Sequence, residues 1–317
     1  MRLVRQEAIM KKTPILGLVV LLLCLSLSGC KSSDYKKAAS LEEAGDYSAA
    51  LEIYKEISDY KDSADHIALC EAMISAIDGY EAAKASAEEK NVVLDTEISS
   101  AESVIAEGKK PLDDTLIPAL ETAISETKAV KVSIPEMPGT AEEINKVTDE
   151  LNNINYDEII EKLHAHQDDL EKSIKQYSLV NAPSEAYIIQ CLSKVPNVVD
   201  ISAVTEDNDP NGKLNKAGGY TAQVYFTSDL VNQGSVIGST VIEKGTDGGG
   251  SIEVYANVED AEKRNDYLAT FDGSLFASGS HTVIGTVLVR TSDELTASQQ
   301  KEMEANIIAE LINIENY

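Results

Sequence analysis

The chain has 317 residues, with 54 acidic side chains against 27 lysines and arginines and a formal charge of −27. Phosphate backbones are bound by clustered Lys and Arg, so this balance excludes nucleic acid as a partner and makes cations the natural small ones. The length suffices for one large domain or two modest ones with real cores.

Residues 1–29 read as an export signal. Arg2, Arg5, Lys11 and Lys12 form a basic start, and Pro14 to Leu27 is an almost unbroken apolar run. About 18–20 residues are needed to span a bilayer as a helix, so this shorter run is a signal-peptide core and not a membrane span. Leu27-Ser28-Gly29-Cys30 closes it and resembles the lipobox of bacterial lipoproteins. That resemblance implies lipidation of Cys30 and cleavage just before it, which places the protein on the extracytoplasmic face of the cell membrane. Two or more acyl chains, at ~0.8 kcal/mol per buried CH₂, would anchor a soluble body durably. Cleavage removes four basic residues and one acidic, leaving a charge of −30. Anionic headgroups should repel such a body, so the lipid is the expected membrane contact.

The next segment, 30–80, is predicted to hold a helix–turn–helix over Tyr35 to Met73. Ala38, Leu41, Gly45, Tyr47, Ala50 and Tyr54 fall where a tetratricopeptide repeat places its packing residues. Ala72 and Gly79 lie 34 residues beyond Ala38 and Gly45, a faint second repeat. One good unit and one degenerate unit fall short of an independent solenoid. Residues 81–180 are predicted to be long helices forming an antiparallel coiled-coil stalk. Leu94, Ile98, Ala101 and Ile105 make one stripe, and Leu112 to Ile124 another. After the break at 134–139, Thr140 and Glu143 write a capping box, and the stripe from Ile144 to Tyr177 suggests one helix of ~57 Å.

From 183 to 317 the pattern changes. Strands are expected at Val198 to Val204, Tyr220 to Thr227, Ile252 to Ala256 and Thr282 to Arg290, the last apolar on both faces and hence central. Helices are expected after Ser184, after Asn257 and at Thr296 to Asn313. This order predicts an α+β fold: an all-helical N-terminal region followed by an α+β sandwich with a mainly antiparallel sheet.

The stretches EDNDPNGKLNKAGGYTAQVYF, GTDGGGSIEVYANVEDAEKRNDYLATFDG and SGSHTVIGTVLVRTSDELTASQQ resemble a C-terminal module of Gram-positive surface proteins and lipoproteins, some described as extracellular-matrix-binding-like. The resemblance covers 183–314 well and the helical region loosely. It implies a surface location and adds no chemistry.

One loop invites a ligand. Asp207, Asp209 and Asn211 alternate, Gly212 follows, and Lys213 would offer its carbonyl, as in the first half of an EF-hand-type calcium loop. Gly218 stands where the bidentate Glu belongs, and the flanks are strands. Glu206, Asp229, Glu243 or Asp247 could complete the shell. The other reading is a type I turn at Asp209-Pro210-Asn211-Gly212 inside a hairpin, and it is preferred, with calcium second. Gly245 to Gly250 enters a strand and lacks the Lys-Ser/Thr of a phosphate loop. His164 and His166 are not spaced as a metal pair, and Ser280 beside His281 is a weak coincidence. Cys70 and Cys191 read as small buried hydrophobes more readily than as a disulfide. The expected function is non-enzymatic binding of a protein or glycan by a lipid-anchored envelope protein. The alternatives are an accessory subunit docking through the repeat-like helices and, third, a wall-active enzyme.

Overall fold

The computed structural model describes residues 31–273 and 279–316. Cys30 and the apolar run before it lie outside the described residues. The chain is α+β, a helical N-terminal region followed by a five-stranded antiparallel sheet. Among the described residues no helix is long and apolar enough to cross a membrane.

Two compact units are present, one of residues 31–83 with 135–150, the other of 84–134 with 151–316. The division runs through helices α3 (Ser63–Ala106) and α5 (Ala141–Asn152). The expected boundary near 180–183 therefore lies inside the second unit.

In the first unit, α1 (Lys31–Glu43) and α2 (Tyr47–Glu56) form the predicted pair. Gly45 adopts φ +84°, and the amide of Asp46 bonds back to the carbonyl of Leu41 at 2.9 Å, which closes α1 as a Schellman turn. Asp46 at once caps α2, its carboxylate accepting from the amide of Ala49. Ala38 and Ala50 are fully buried, small enough to let the helices meet, and pack with Tyr54, Ile57 and Cys70. The faint second repeat is not there. Gly79 lies in the uninterrupted helix α3, with no turn.

The second unit opens with the rest of α3, then α4 (Leu116–Ala129) and α6 (Asp157–Val180), whose stripes Leu94 and Ala101, Leu120, and Leu163 and Leu170 are all buried. The single helix expected from Thr140 to Tyr177 is broken. Between α5 and α6 the side chain of Asn155 accepts from the amide of Asp157 at 2.7 Å, and the ammonium of Lys90 takes the carbonyl of Ile154 at 2.6 Å. A short polar side chain offers the backbone an alternative to the helical ladder, and the Asn-rich stretch takes it.

Next come α7 (Glu185–Leu192), β1 (Val198–Ala203), β2 (Tyr220–Ser228), the short α8 (Val241–Lys244), β3 (Gly249–Tyr255), α9 (Val258–Ala269), β4 (His281–Ile284), β5 (Val287–Thr291) and α10 (Ala297–Leu311). Ser184, Asn257 and Thr296 cap their helices as expected, Thr296 in a complete box with Gln299. The strand order is β1-β2-β3-β5-β4. The strand expected over Thr282 to Arg290 is two strands: it folds at Gly285, φ +59°, so that β5 is internal and β4 an edge. One face carries Val224, Phe226, Ile252, Val254, Val287 and Val289 against α7 and α10. Cys191 is buried in that core, Cys70 in the other unit, and both are free thiols.

Candidate functional site

The loop between β1 and β2 holds the residues singled out for calcium. Asp209 organises it. Its carboxylate accepts the amides of Asn211 at 3.0 Å, Lys213 at 2.6 Å and Leu214 at 2.8 Å, and also the hydroxyl of Tyr220. Its carbonyl receives the amide of Gly212, whose φ is +61°, which closes the expected turn over Pro210 and Asn211. Burial by itself would raise the Asp209 carboxyl. The bonds from Tyr220 and from the amides of Leu214, Asn211 and Lys213 outweigh it and hold the group below the usual carboxylate range.

The remaining candidates do not gather around this carboxylate. Asn211 turns inward and donates to the Tyr220 hydroxyl and the Gln223 side chain, each at 3.4 Å. The carbonyl of Lys213 accepts the amide of Lys216, whose own ammonium sits 2.6 Å from the carbonyl of Gly212. Asp207 is exposed. Glu243 is spent on Ser239 and Thr240 in the cap of α8. Among the described residues no group of three or more His, Cys, Asp or Glu side chains could hold a metal ion. As folded, the Asp209 carboxylate is taken by the loop's own amides and the Tyr220 hydroxyl, the Gly212 carbonyl by the Lys216 ammonium, and this arrangement does not fit calcium.

Beneath the loop lies a feature that sequence reasoning missed. The second face of the sheet is polar yet buried. Glu253 of β3 is fully buried and Arg290 of β5 nearly so. One Glu253 oxygen takes Arg290 Nη1 at 3.0 Å, and the other takes the Tyr255 hydroxyl at 2.6 Å and Arg264 Nε of α9 at 3.2 Å. Gln223, directly across from Glu253, donates to the Tyr225 hydroxyl at 2.9 Å. Burial, and then the Glu253 charge, push the phenols of Tyr225 and Tyr255 up. The signal was present in the text: one acid inside SIEVY and one arginine inside VLVRT, each in an otherwise apolar strand. An acid inside one predicted strand and an arginine closing another are the two halves of such a buried pair. With both oxygens engaged, Glu253 is a structural counter-ion and not a free base.

Ser280 and His281 are adjacent and face opposite ways. Ser280 bonds Thr291 and Glu304, while His281 bonds Asn265 at 2.7 Å and Asp272 at 3.2 Å. They form no nucleophile–base pair.

The first unit carries an open apolar groove of about 510 Å³, with Ala39, Tyr47, Leu69, Ala72 and Met73 in its walls. Leu69 is 45 % exposed there. On the rim, Glu42 bonds His66 Nδ1 at 2.7 Å, and the His66 ring stacks on Tyr54 with centroids 4.8 Å apart. Burial, then Glu42, push the Tyr54 phenol up.

No family model, curated protein or solved structure matches this chain.

Proposed function

We propose that the chain is a lipid-anchored, non-enzymatic protein of the cell envelope, holding its α+β domain outside the membrane for contact with a protein or glycan. The observation that carries this reading is Cys30. It ends a Leu-Ser-Gly-Cys tetrad after an apolar run too short to span a bilayer, and helix α1 begins at the next residue. The acidic body supports it, since excess negative charge suits a solvated exterior domain and disfavours polyanions. The saturated Glu253 cluster supports a non-catalytic role for the sheet's buried polar face. On β1, an edge strand, Val199 is 58 % exposed and offers a contact point in the α+β domain.

A second reading, docking of the helix pair onto another envelope protein, is favoured by the apolar groove beside Leu69. Crosslinking and pull-down from intact cells separates the two. Partner capture lost in Val199→Glu and kept in Leu69→Glu supports the first reading, and the reverse pattern selects the second. Turnover of peptidoglycan by the purified protein overturns both. The anchor has its own test: Cys30→Ser should release the protein from the membrane fraction, and retention there defeats the lipid reading.

A further inference from the structure

The end of the first unit nearest the proposed anchor differs in character from the rest of the chain. Lys31, the first residue of α1, pairs with Asp59 at 2.6 Å, which brings the turn before α3 alongside the first turn of α1. Tyr35 fastens the same junction, its hydroxyl donating to Asp62 at 2.7 Å. Its ring meets that of Tyr60 edge-on at 5.9 Å. Lys61 lies between them in the turn with φ +50°, a backbone state that costs a non-glycine residue about 1–2 kcal/mol. That conformation sets its ammonium 4.4 Å from the centre of the Tyr35 ring and 5.5 Å from that of Tyr60. Asp59 and Asp62 are thus tied to Lys31 and Tyr35. Lys36 and Lys37 are exposed and have no acidic partner among the described residues. In a chain where acids outnumber bases 54 to 27, this end sets Lys31, Lys36, Lys37 and Lys61 against Asp34, Asp59 and Asp62, beside two half-buried tyrosine rings that pack on the core of the unit.

We propose that Lys36, Lys37 and Lys61, with the rings of Tyr35 and Tyr60, form a docking face for an anionic phospholipid surface. The inference rests on the lipid-anchor reading and departs from the expectation that the acyl chains alone touch the membrane. Two arguments select the bilayer. Lys31, the first residue of α1, follows Cys30 directly in the chain, so acylation of Cys30 would tether the start of α1 within one residue step, ~3.8 Å, of the anchored residue. Ammonium groups beside amphipathic rings match the headgroup layer, where tyrosine sits with its ring in the apolar margin and lysine reaches the phosphates.

The test is hydrogen exchange of the full protein in phosphatidylcholine vesicles and in vesicles that also contain phosphatidylglycerol. Segments 31–37 and 57–62 should be protected only when the anionic lipid is present. In the variant Lys36→Glu/Lys37→Glu/Lys61→Glu the ratio of docked to free protein should fall at least about fivefold per lysine. Equal exchange in both lipids, or unchanged protection in the variant, overturns the proposal. The mass of the N-terminal peptide reports acylation separately. If that mass shows no acyl group the anchor reading fails, and the same comparison on protein added to the vesicles still decides the docking face.

Discussion

Glu253 and Arg290 are diagonal neighbours across β3 and β5. Glu253 stands opposite Leu288 and Arg290 opposite Ser251, yet the guanidinium reaches along the sheet to the carboxylate at 3.0 Å. Diagonal partners two residues out of step are within reach of a long side chain, and arginine is the cation best able to use that reach. The pair is locked in by Arg264 from α9 on the other oxygen. Such a cluster stabilises one arrangement of the sheet face because any register slip strands a buried charge.

Removing one partner is therefore expected to cost more than removing both. Glu253→Gln keeps the shape but takes from two guanidinium groups the carboxylate charge that they share, and should lower unfolding stability by about 3–5 kcal/mol. Glu253→Leu combined with Arg290→Met should cost less than the sum of the single changes. Urea unfolding of wild type, Glu253→Gln, Glu253→Leu, Arg290→Met and the double variant checks this, and a loss below about 1 kcal/mol for Glu253→Gln sinks the idea.

Asp209 makes a prediction about pH and ions. Its carboxyl is held low in the folded state, so its contribution is present above the unfolded carboxylate range and is lost as pH falls through the folded value. Asp209→Ala should destabilise by about 1–3 kcal/mol near neutral pH and flatten the acid limb of the stability curve. Added calcium should shift the melting temperatures of wild type and Asp209→Ala by the same amount, as screening of an acidic surface does. A shift confined to the wild type would show that the loop reorganises to take the ion.

Gly285 turns the β4–β5 hairpin with φ +59°, and a β-carbon there would lie 2.5 Å from the carbonyl of Val180. That carbonyl already receives the amide of Thr286 at 2.9 Å, so it cannot retreat without loss. Gly218 has a similar φ, +69°, but open space around it. Gly285→Ala should cost clearly more than the ~1–2 kcal/mol left-handed penalty expected of Gly218→Ala. Thermal unfolding of both variants measures the difference, and equal losses would mean that the hairpin moves freely from Val180.

Burial, the leading cause in each case, pushes up the phenols of Tyr54, Tyr187, Tyr220, Tyr225 and Tyr255. Five of the 13 tyrosines should then resist alkaline ionisation until the protein unfolds. Ultraviolet titration should show an early phase and a late one that coincides with loss of circular dichroism. One smooth transition near the free tyrosine value would contradict the burial of these rings.

Local chemistry wrote much of this chain in plain text. The Gly45-Asp46 turn, the caps at Ser184, Asn257 and Thr296, and the Asp209-to-Gly212 turn were legible because each is decided within four or five residues by φ preference and side-chain reach. The break at Asn153 to Tyr156 was missed because the apolar stripe runs on through it, and periodicity outweighed the asparagines. The hairpin at Gly285 was missed for a related reason: two short apolar strands joined by one glycine and a threonine read as one long strand.

The amino-acid sequence by itself determined the α+β class, the order of helices before sheet, the acidic surface and the positions of most caps. These follow from periodicity, composition and short-range hydrogen bonding. Only the tertiary structure showed the whole of what Asp209 does: its amide donors lie two to five residues on, but the Tyr220 hydroxyl that joins them stands 11 residues away at the start of β2. It likewise decided that Glu253 is a buried counter-ion, since Arg264 and Arg290 lie 11 and 37 residues away. The distance along the chain between a charge and its partner is invisible to local pattern, and the cost of burying that charge makes the partner obligatory.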